Sequence, residues 1–173
     1  SNGKRNGNGV VEYANGDIYD GEFKEDQRAG QGTFLGSDGY KYVGEWAEGQ
    51  IQGAGEVTYP DGSFYAGNFV NGLASGTGKI QYPDGSVYEG EWKAGVIEGI
   101  GRAQYSNGVV YEGGFKNARN HGFGIMDYGN GYIYEGDWKD GNRHGKGVSK
   151  FADGMVYEGD YLNGKRHGMG KIC

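Results

Sequence analysis

Aromatic residues and glycines alternate with polar residues in five-residue blocks that recur along the whole chain. The blocks are Tyr19-Asp20-Gly21-Glu22-Phe23, Tyr42-Val43-Gly44-Glu45-Trp46, Tyr65-Ala66-Gly67-Asn68-Phe69, Tyr88-Glu89-Gly90-Glu91-Trp92, Tyr111-Glu112-Gly113-Gly114-Phe115, Tyr134-Glu135-Gly136-Asp137-Trp138 and Tyr157-Glu158-Gly159-Asp160-Tyr161. Each starts 23 residues after the one before it, a fixed period that marks an array of units stacked on their neighbours. Period-two alternation within a block predicts a half-buried β-strand. A second alternating stretch precedes each block: Gly76, Gly78, Ile80 and Tyr82 share one parity, while Lys79 and Gln81 take the other.

Parity also predicts how these two strands pair. Opposed residues lie on the same face, so a two-residue Asp84-Gly85 loop would pair Tyr82 with Val87 and turn Tyr88 to the wrong side. A three-residue loop, Pro83-Asp84-Gly85, pairs Tyr82 with Ser86, Ile80 with Tyr88, Gly78 with Gly90 and Gly76 with Trp92. Pro first, Asp second and Gly at a left-handed third position suit a type I turn closed by a bulge. The opposed glycines leave room for a neighbouring ring to lie flat on backbone. The fold class predicted is all-β, an elongated single-layer array of consecutive antiparallel hairpins. With two strands per repeat, seven repeats would extend roughly 65–70 Å.

Two places break the pattern. Gly36 stands where other repeats carry Tyr13, Tyr59, Tyr82, Tyr105, Tyr128 or Phe151, which predicts a locally altered strand. Asp26 and Ala118 replace the glycine found at Gly49, Gly72, Gly95, Gly141 and Gly164, which predicts less regular connections. Residues 1–18 read as a partial repeat, 19–166 as seven repeats, and 167–173 as a truncated further one. The expectation is a piece of a longer protein, with Ser1-Asn2 as a cloning remnant.

Composition alone, with 39 Gly and 35% hydrophobic residues, would suggest low complexity; the 15 Tyr, seven Phe and three Trp on one lattice overrule it. The sequence holds no run of about 18 apolar residues. The single Cys173 excludes an internal disulfide, and with no secretion signal the expected location is cytoplasmic, at the cytoskeleton or the cytoplasmic face of a membrane. The net charge of −6 is uneven: residues 1–86 hold 6 Lys/Arg against 12 Asp/Glu, and residues 87–173 hold 11 of each.

The block followed by Gly and then Gly-x-Gly, as in Tyr134-Glu135-Gly136-Asp137-Trp138 with Gly141, Gly145 and Gly147, resembles the MORN (membrane occupation and recognition nexus) repeat, and the match covers essentially the whole chain. The resemblance implies a role in tethering, scaffolding or regulation, since such arrays occur in junctional membrane-tethering proteins, lipid phosphate kinases, beside a methyltransferase domain, and in axonemal and cytoskeletal proteins. Fold alone does not select among these roles.

Candidate chemistry narrows the choice. His121, His144 and His167 recur every 23 residues, but equivalents two strands apart lie about 9–10 Å from one another, too far to share a zinc ion, so they read as hydrogen-bonding loop residues. The carboxylates Glu89, Glu91, Glu112, Glu135, Asp137, Glu158 and Asp160 form a repeated ladder, which supplies neither the unequal pair of a glycosidase nor a calcium cage. The Gly-x-Gly pairs lack the helix and the Gly-Lys-Ser/Thr ending of a phosphate loop. No enzyme, metal, cofactor or nucleic-acid partner is expected.

The leading expectation is a non-catalytic scaffold that binds a protein along an aromatic face, through Tyr19, Tyr42, Tyr65, Tyr88, Tyr111, Tyr134, Trp46 and Trp92 where stacking does not consume them. Apolar residues in the connections, Ile51, Leu73, Val96 and Ile97, point to a second protein contact. An alternative is an anionic phospholipid bound by a basic ridge of Arg119, Arg143, His144, Lys165, Arg166 and His167. A further one is regulation of a lipid phosphate kinase domain lying outside this sequence. Open strand edges and the charge asymmetry predict self-association, as an antiparallel dimer.

Overall fold

The computed structural model describes residues 3–172, so Ser1-Asn2 and Cys173 lie outside the described residues. The described chain is all-β, with fifteen strands following one another in chain order. It divides into two compact units, residues 3–83 with 93–95 and residues 84–92 with 96–172.

The first unit contains β1 (Gly7–Glu12), β2 (Ile18–Lys24), β3 (Gln27–Leu35), β4 (Lys41–Ala47), β5 (Gln50–Thr58), β6 (Phe64–Val70) and β7 (Leu73–Gln81), each antiparallel to the next. The second unit contains β8 (Val87–Lys93, all but its last residue), β9 (Val96–Gln104), β10 (Val110–Lys116), β11 (Arg119–Asp127), β12 (Ile133–Lys139), β13 (Asn142–Lys150), β14 (Val156–Leu162) and β15 (Lys165–Ile172). From β9 onward each of these also pairs antiparallel with its successor.

The register that parity predicts recurs in both units. Gly55 opposes Gly67, with Val57 against Tyr65 and Gly53 against Phe69; Gly124 opposes Gly136, with Met126 against Tyr134 and Gly122 against Trp138. The loop holds three residues: Tyr59 N–H donates to the Ser63 carbonyl at 2.8 Å and Gly62 N–H to the Tyr59 carbonyl at 2.9 Å. Gly62 has φ +96°, and the Asp61 carboxylate accepts from Ser63 N–H at 2.8 Å, which holds its pKa below the ordinary range. In the second unit Ser86 N–H donates to Asp84 in the same way.

The other hairpin, from each short strand to the long strand after it, carries a bulge that strand alternation does not reveal. Between Gly21↔Gly32 and Phe23↔Arg28, the single residue Glu22 faces Ala29, Gly30 and Gln31. Glu22 accepts a hydrogen bond from Gln31 N–H, as Glu45 does from Ala54, Glu91 from Ile100 and Asp137 from Lys146. Glu91 and Asp137 of the carboxylate ladder, with Glu22 and Glu45 at the same place in earlier repeats, therefore cap N–H groups that the bulge leaves unpaired.

The bulge also frees the carbonyl of the residue it contains, and the core tyrosine claims it. Tyr19, Tyr42, Tyr88 and Tyr134 each donate their hydroxyl to the carbonyl three residues on, at 2.7 Å. Each ring lies across the second glycine of the opposing Gly-x-Gly, where a Cβ on Gly55 would stand 2.3 Å from the Tyr42 hydroxyl oxygen and one on Gly147 2.4 Å from that of Tyr134. The rings form an edge-to-face zipper in each unit: Tyr19 on Trp46 and Tyr42 on Phe69 in the first (5.2 and 5.4 Å between centroids), Tyr111 on Trp138 and Tyr134 on Tyr161 in the second (5.5 and 5.1 Å).

Both expected irregularities are corrected by the structure. β3 has the same nine residues as the other long strands, and its loop is closed by Gly39 N–H donating to the Gly36 carbonyl at 3.1 Å. Tyr40, across that loop, supplies the missing ring and packs against Phe34 and Tyr59 at 6.1 and 6.0 Å. The turns at Asp26 and Ala118 are as regular as those with glycine. Their residues take φ +68° and +63°, and their N–H groups donate to the Arg5 and Ile97 carbonyls at 2.9 Å, as Gly49 N–H does to Arg28. The ladder on either side fixes the turn, and the side chain tolerates a left-handed backbone at a cost.

Candidate functional site

Burial removes the aromatic lattice from the list of contact surfaces. Tyr19, Tyr42, Tyr65, Tyr88, Tyr111, Tyr134, Trp46 and Trp92 are between 0% and 8% exposed, so stacking consumes all eight. Burial also pushes the phenol pKa of Tyr65 up to about 12 and raises those of Tyr42, Tyr111 and Tyr134. Trp46 and Trp138 spend their indole N–H groups on the Gly32 and Gly124 carbonyls, at 3.0 and 3.1 Å.

The six residues expected to form a basic ridge are divided between the two faces of the sheet. Arg143 lies on the aromatic face: it donates to the Tyr132 hydroxyl at 2.5 Å and to the Gly164 carbonyl at 2.6 Å, with its guanidinium 5.2 Å from the Tyr161 centroid. Arg166 stands over Tyr157 on that face, also at 5.2 Å. Arg28 does the same in the first unit, 4.6 Å from Trp46 and donating to the Gly49 carbonyl. Arg119, His144, Lys165 and His167 alternate to the outer face.

The histidines occupy the slot from which Gln52 accepts the Asn71 N–H and Asn6 the Glu25 N–H at the next turn. His121 Nδ1 sits there buried, 4.0 Å from the Asp140 carboxylate and without a hydrogen bond, so the expected hydrogen-bonding role is not met by His121. Of the apolar connections, Ile97 is buried and Ile51 half-buried, which removes them as contacts; Leu73 and Val96 are exposed.

The outer face distinguishes the two units. The middle residue of Gly-x-Gly points outward in every repeat; it is Asn8, Gln31, Ala54 and Thr77 in the first unit and Ile100, Phe123, Lys146 and Met169 in the second. Ile100, Phe123 and Met169 are 64%, 57% and 86% exposed, and Ile125, two residues beyond Phe123, is 36% exposed. Phe123 and Met169 border a groove of about 920 Å³ whose floor is the backbone of Gly136, Gly147, Gly159 and Gly170. Its walls carry Val148, Glu135, Asp137, Glu158, Lys146 and Lys171, and Lys146 is paired with Asp160 at 2.5 Å. The residue between the two glycines has no fixed type from repeat to repeat, so no motif in the sequence marks this surface; strand alternation, which turns it away from the aromatic face, is the signal that could have found it.

Among the described residues, no group of three or more His, Cys, Asp or Glu is placed to hold a metal ion, and no helix is long and apolar enough to cross a membrane.

No sequence among curated proteins matches this chain. Solved structures include the TCP domain of SAS-4 (dCPAP) of Drosophila melanogaster in complex with a proline rich motif of Ana2 (dSTIL), at 11% identity over 96% of this chain and 83% of that one, TM-score 0.48. The TCP10 domain of Danio rerio CPAP, in complex with a STIL peptide, is 16% identical over 88% of this chain and 78% of that one, TM-score 0.41. The MORN repeat model matches residues 1–18, 19–39, 42–64, 65–87, 88–110, 111–131, 134–156 and 157–173, and the chain belongs to the MORN repeat family.

Proposed function

We propose that this chain is a non-catalytic scaffold that docks a protein partner on the outer face of its second unit. The observation that carries the reading is the row of large apolar side chains exposed on this one face, Ile100, Phe123, Ile125 and Met169, of which Phe123 and Met169 stand at the two ends of a groove floored by glycine. Several exposed side chains of this size on one face are a feature of interaction sites. The outer carboxylates Glu45, Glu91 and Asp137 also have structural work at the bulges, which argues against a role for these three in catalysis. A photo-crosslinking residue at position 123 should trap a partner that the same probe at position 31 does not. Equal yields from both positions would reject the outer-face site.

A second reading, binding of anionic phospholipid, draws support from a different edge of the same unit. The register sets Lys116 beside Arg119 and Lys139 beside Asn142, with Lys165 two strands further on, so four cations share the outer turn edge. That number reaches the lower bound of a polybasic lipid site. Flotation with phosphoinositide-containing vesicles, lost in Lys116→Glu/Arg119→Glu, supports this reading; no flotation at physiological salt rejects it.

A further inference from the structure

We propose that the outer groove of the second unit receives an extended, proline-rich segment carrying a basic residue at every third position. The inference rests on the docking site proposed above and names the class of partner it takes. Width decides against a helix. The walls are side chains two residues apart on the same strand, such as Glu135 and Asp137, hence about 6.8 Å between Cα atoms, whereas a helix with its side chains is about 10 Å across. A single extended chain fits between those rows.

Direction decides against a β-strand. The groove runs across β12 to β15, so a chain lying along it crosses the strands at a steep angle and cannot extend their ladder; the outer edge of β15 runs along the strand, across the groove and not along it. It must leave its own backbone groups to water, and polyproline II is the conformation that does so without internal hydrogen bonds and with little entropy to lose.

Period supplies the third argument. Equivalent residues such as Glu135 and Glu158, or Phe123 and Met169, lie two or four strands apart, so the wall repeats about every 9.6 Å. Polyproline II advances about 9.3 Å per three-residue turn. One face of such a helix therefore meets the glycine floor at every turn, and a second meets Glu135 and then Glu158. With Lys146 paired to Asp160 at 2.5 Å and Lys150 to Glu135 at 3.9 Å, the walls keep Asp137 and Glu158 against Lys171, which selects a cationic third face.

The test uses the full chain and three synthetic peptides: Pro-Pro-Arg repeats of about twelve residues, Pro-Pro-Glu repeats of the same length, and an alanine-rich helical peptide of equal positive charge. Amide shift mapping with Pro-Pro-Arg should move Gly136, Gly147, Gly159 and Gly170. Phe123→Thr and Glu158→Lys should each weaken binding by at least about five-fold, as should the other two peptides. Undisturbed glycines, or equal binding of the helical or the acidic peptide, overturn the inference. If position 123 still traps a partner while Pro-Pro-Arg leaves the glycines unmoved, the polyproline assignment fails and the docking site stands. If neither the probe nor the peptide reports on the groove, both fail.

Discussion

The two units are built on the same inner lattice and differ on their outer surfaces. Tyr42 in the first and Tyr134 in the second are both fully buried, both donate to the carbonyl three residues on, and both lie over the second glycine of the opposing Gly-x-Gly. One residue away, on the opposite face, Gln31 and Ala54 in the first unit correspond to Phe123 and Met169 in the second. The face that must pack against neighbouring repeats is held constant because each ring serves two strands. The face in water has no such constraint, so variation collects there, and specificity with it.

If the inner lattice is equivalent, its loss should cost the same in either unit. Tyr42→Ala and Tyr134→Ala should each destabilise by about 3–5 kcal/mol in urea unfolding, since each deletes a buried ring together with a satisfied hydroxyl. A loss in one unit only would show that the lattice is not shared in energy as it is in geometry. The same rings set a pH limit. Their folded pKa values lie above the value of about 10 that an unfolded tyrosine has, so this part of the stability is fully present below pH 10 and is lost as pH rises further, through about 12 for Tyr65. Absorbance at 295 nm should show tyrosine ionisation coinciding with loss of structure in both units.

Glycine tests the same equivalence more gently. Gly55→Ala and Gly147→Ala would each place a Cβ in collision with a tyrosine, Tyr42 or Tyr134, and the ring has to move. The expected cost is about 1–3 kcal/mol for either, read from the urea midpoint. Where the units differ, the turns should report it. Ala118 holds φ +63°, so Ala118→Gly should stabilise the second unit by about 1 kcal/mol. Asp26→Gly in the first unit should gain less, because Asp26 is ion-paired to Arg5 at 2.5 Å and that hydrogen bond holds its pKa low.

These contrasts also show what was legible in the sequence. Parity and turn chemistry gave the register at Gly55↔Gly67 and Gly124↔Gly136, because a side chain must face one way or the other and the loop length then follows. The bulge was not legible. It depends on one residue facing three, which leaves the period-two pattern on both sides intact, and with it went the reason for tyrosine over phenylalanine and for the acid between glycine and the second aromatic. The site was misread for a related reason. Tyrosine and tryptophan in a repeated row suggest a binding face, but the glycines opposite them are the sign that the rings lie against backbone. Arg143 looked like part of a ridge because the equivalent connections of the last three repeats each carry a cation, whereas strand alternation sends it to the opposite face from His144.

The smallest expected effect on stability is also the one that most directly tests the difference between the units. Phe123→Thr removes a ring that is more than half exposed, so the urea midpoint should shift by no more than about 0.5 kcal/mol equivalent. The reciprocal change, Gln31→Phe, gives the first unit the residue the second carries at the same place in its repeat and should be as nearly neutral. Binding should not be neutral. Phe123→Thr should abolish crosslinking from a probe at position 148, which lines the same groove, while Gln31→Phe should create none, because the first unit has Thr33 where the second has Ile125 beside Phe123. If Gln31→Phe alone brought a partner to the first unit, a single ring on the shared lattice would be sufficient for recognition, and the groove of the second unit would be incidental to it.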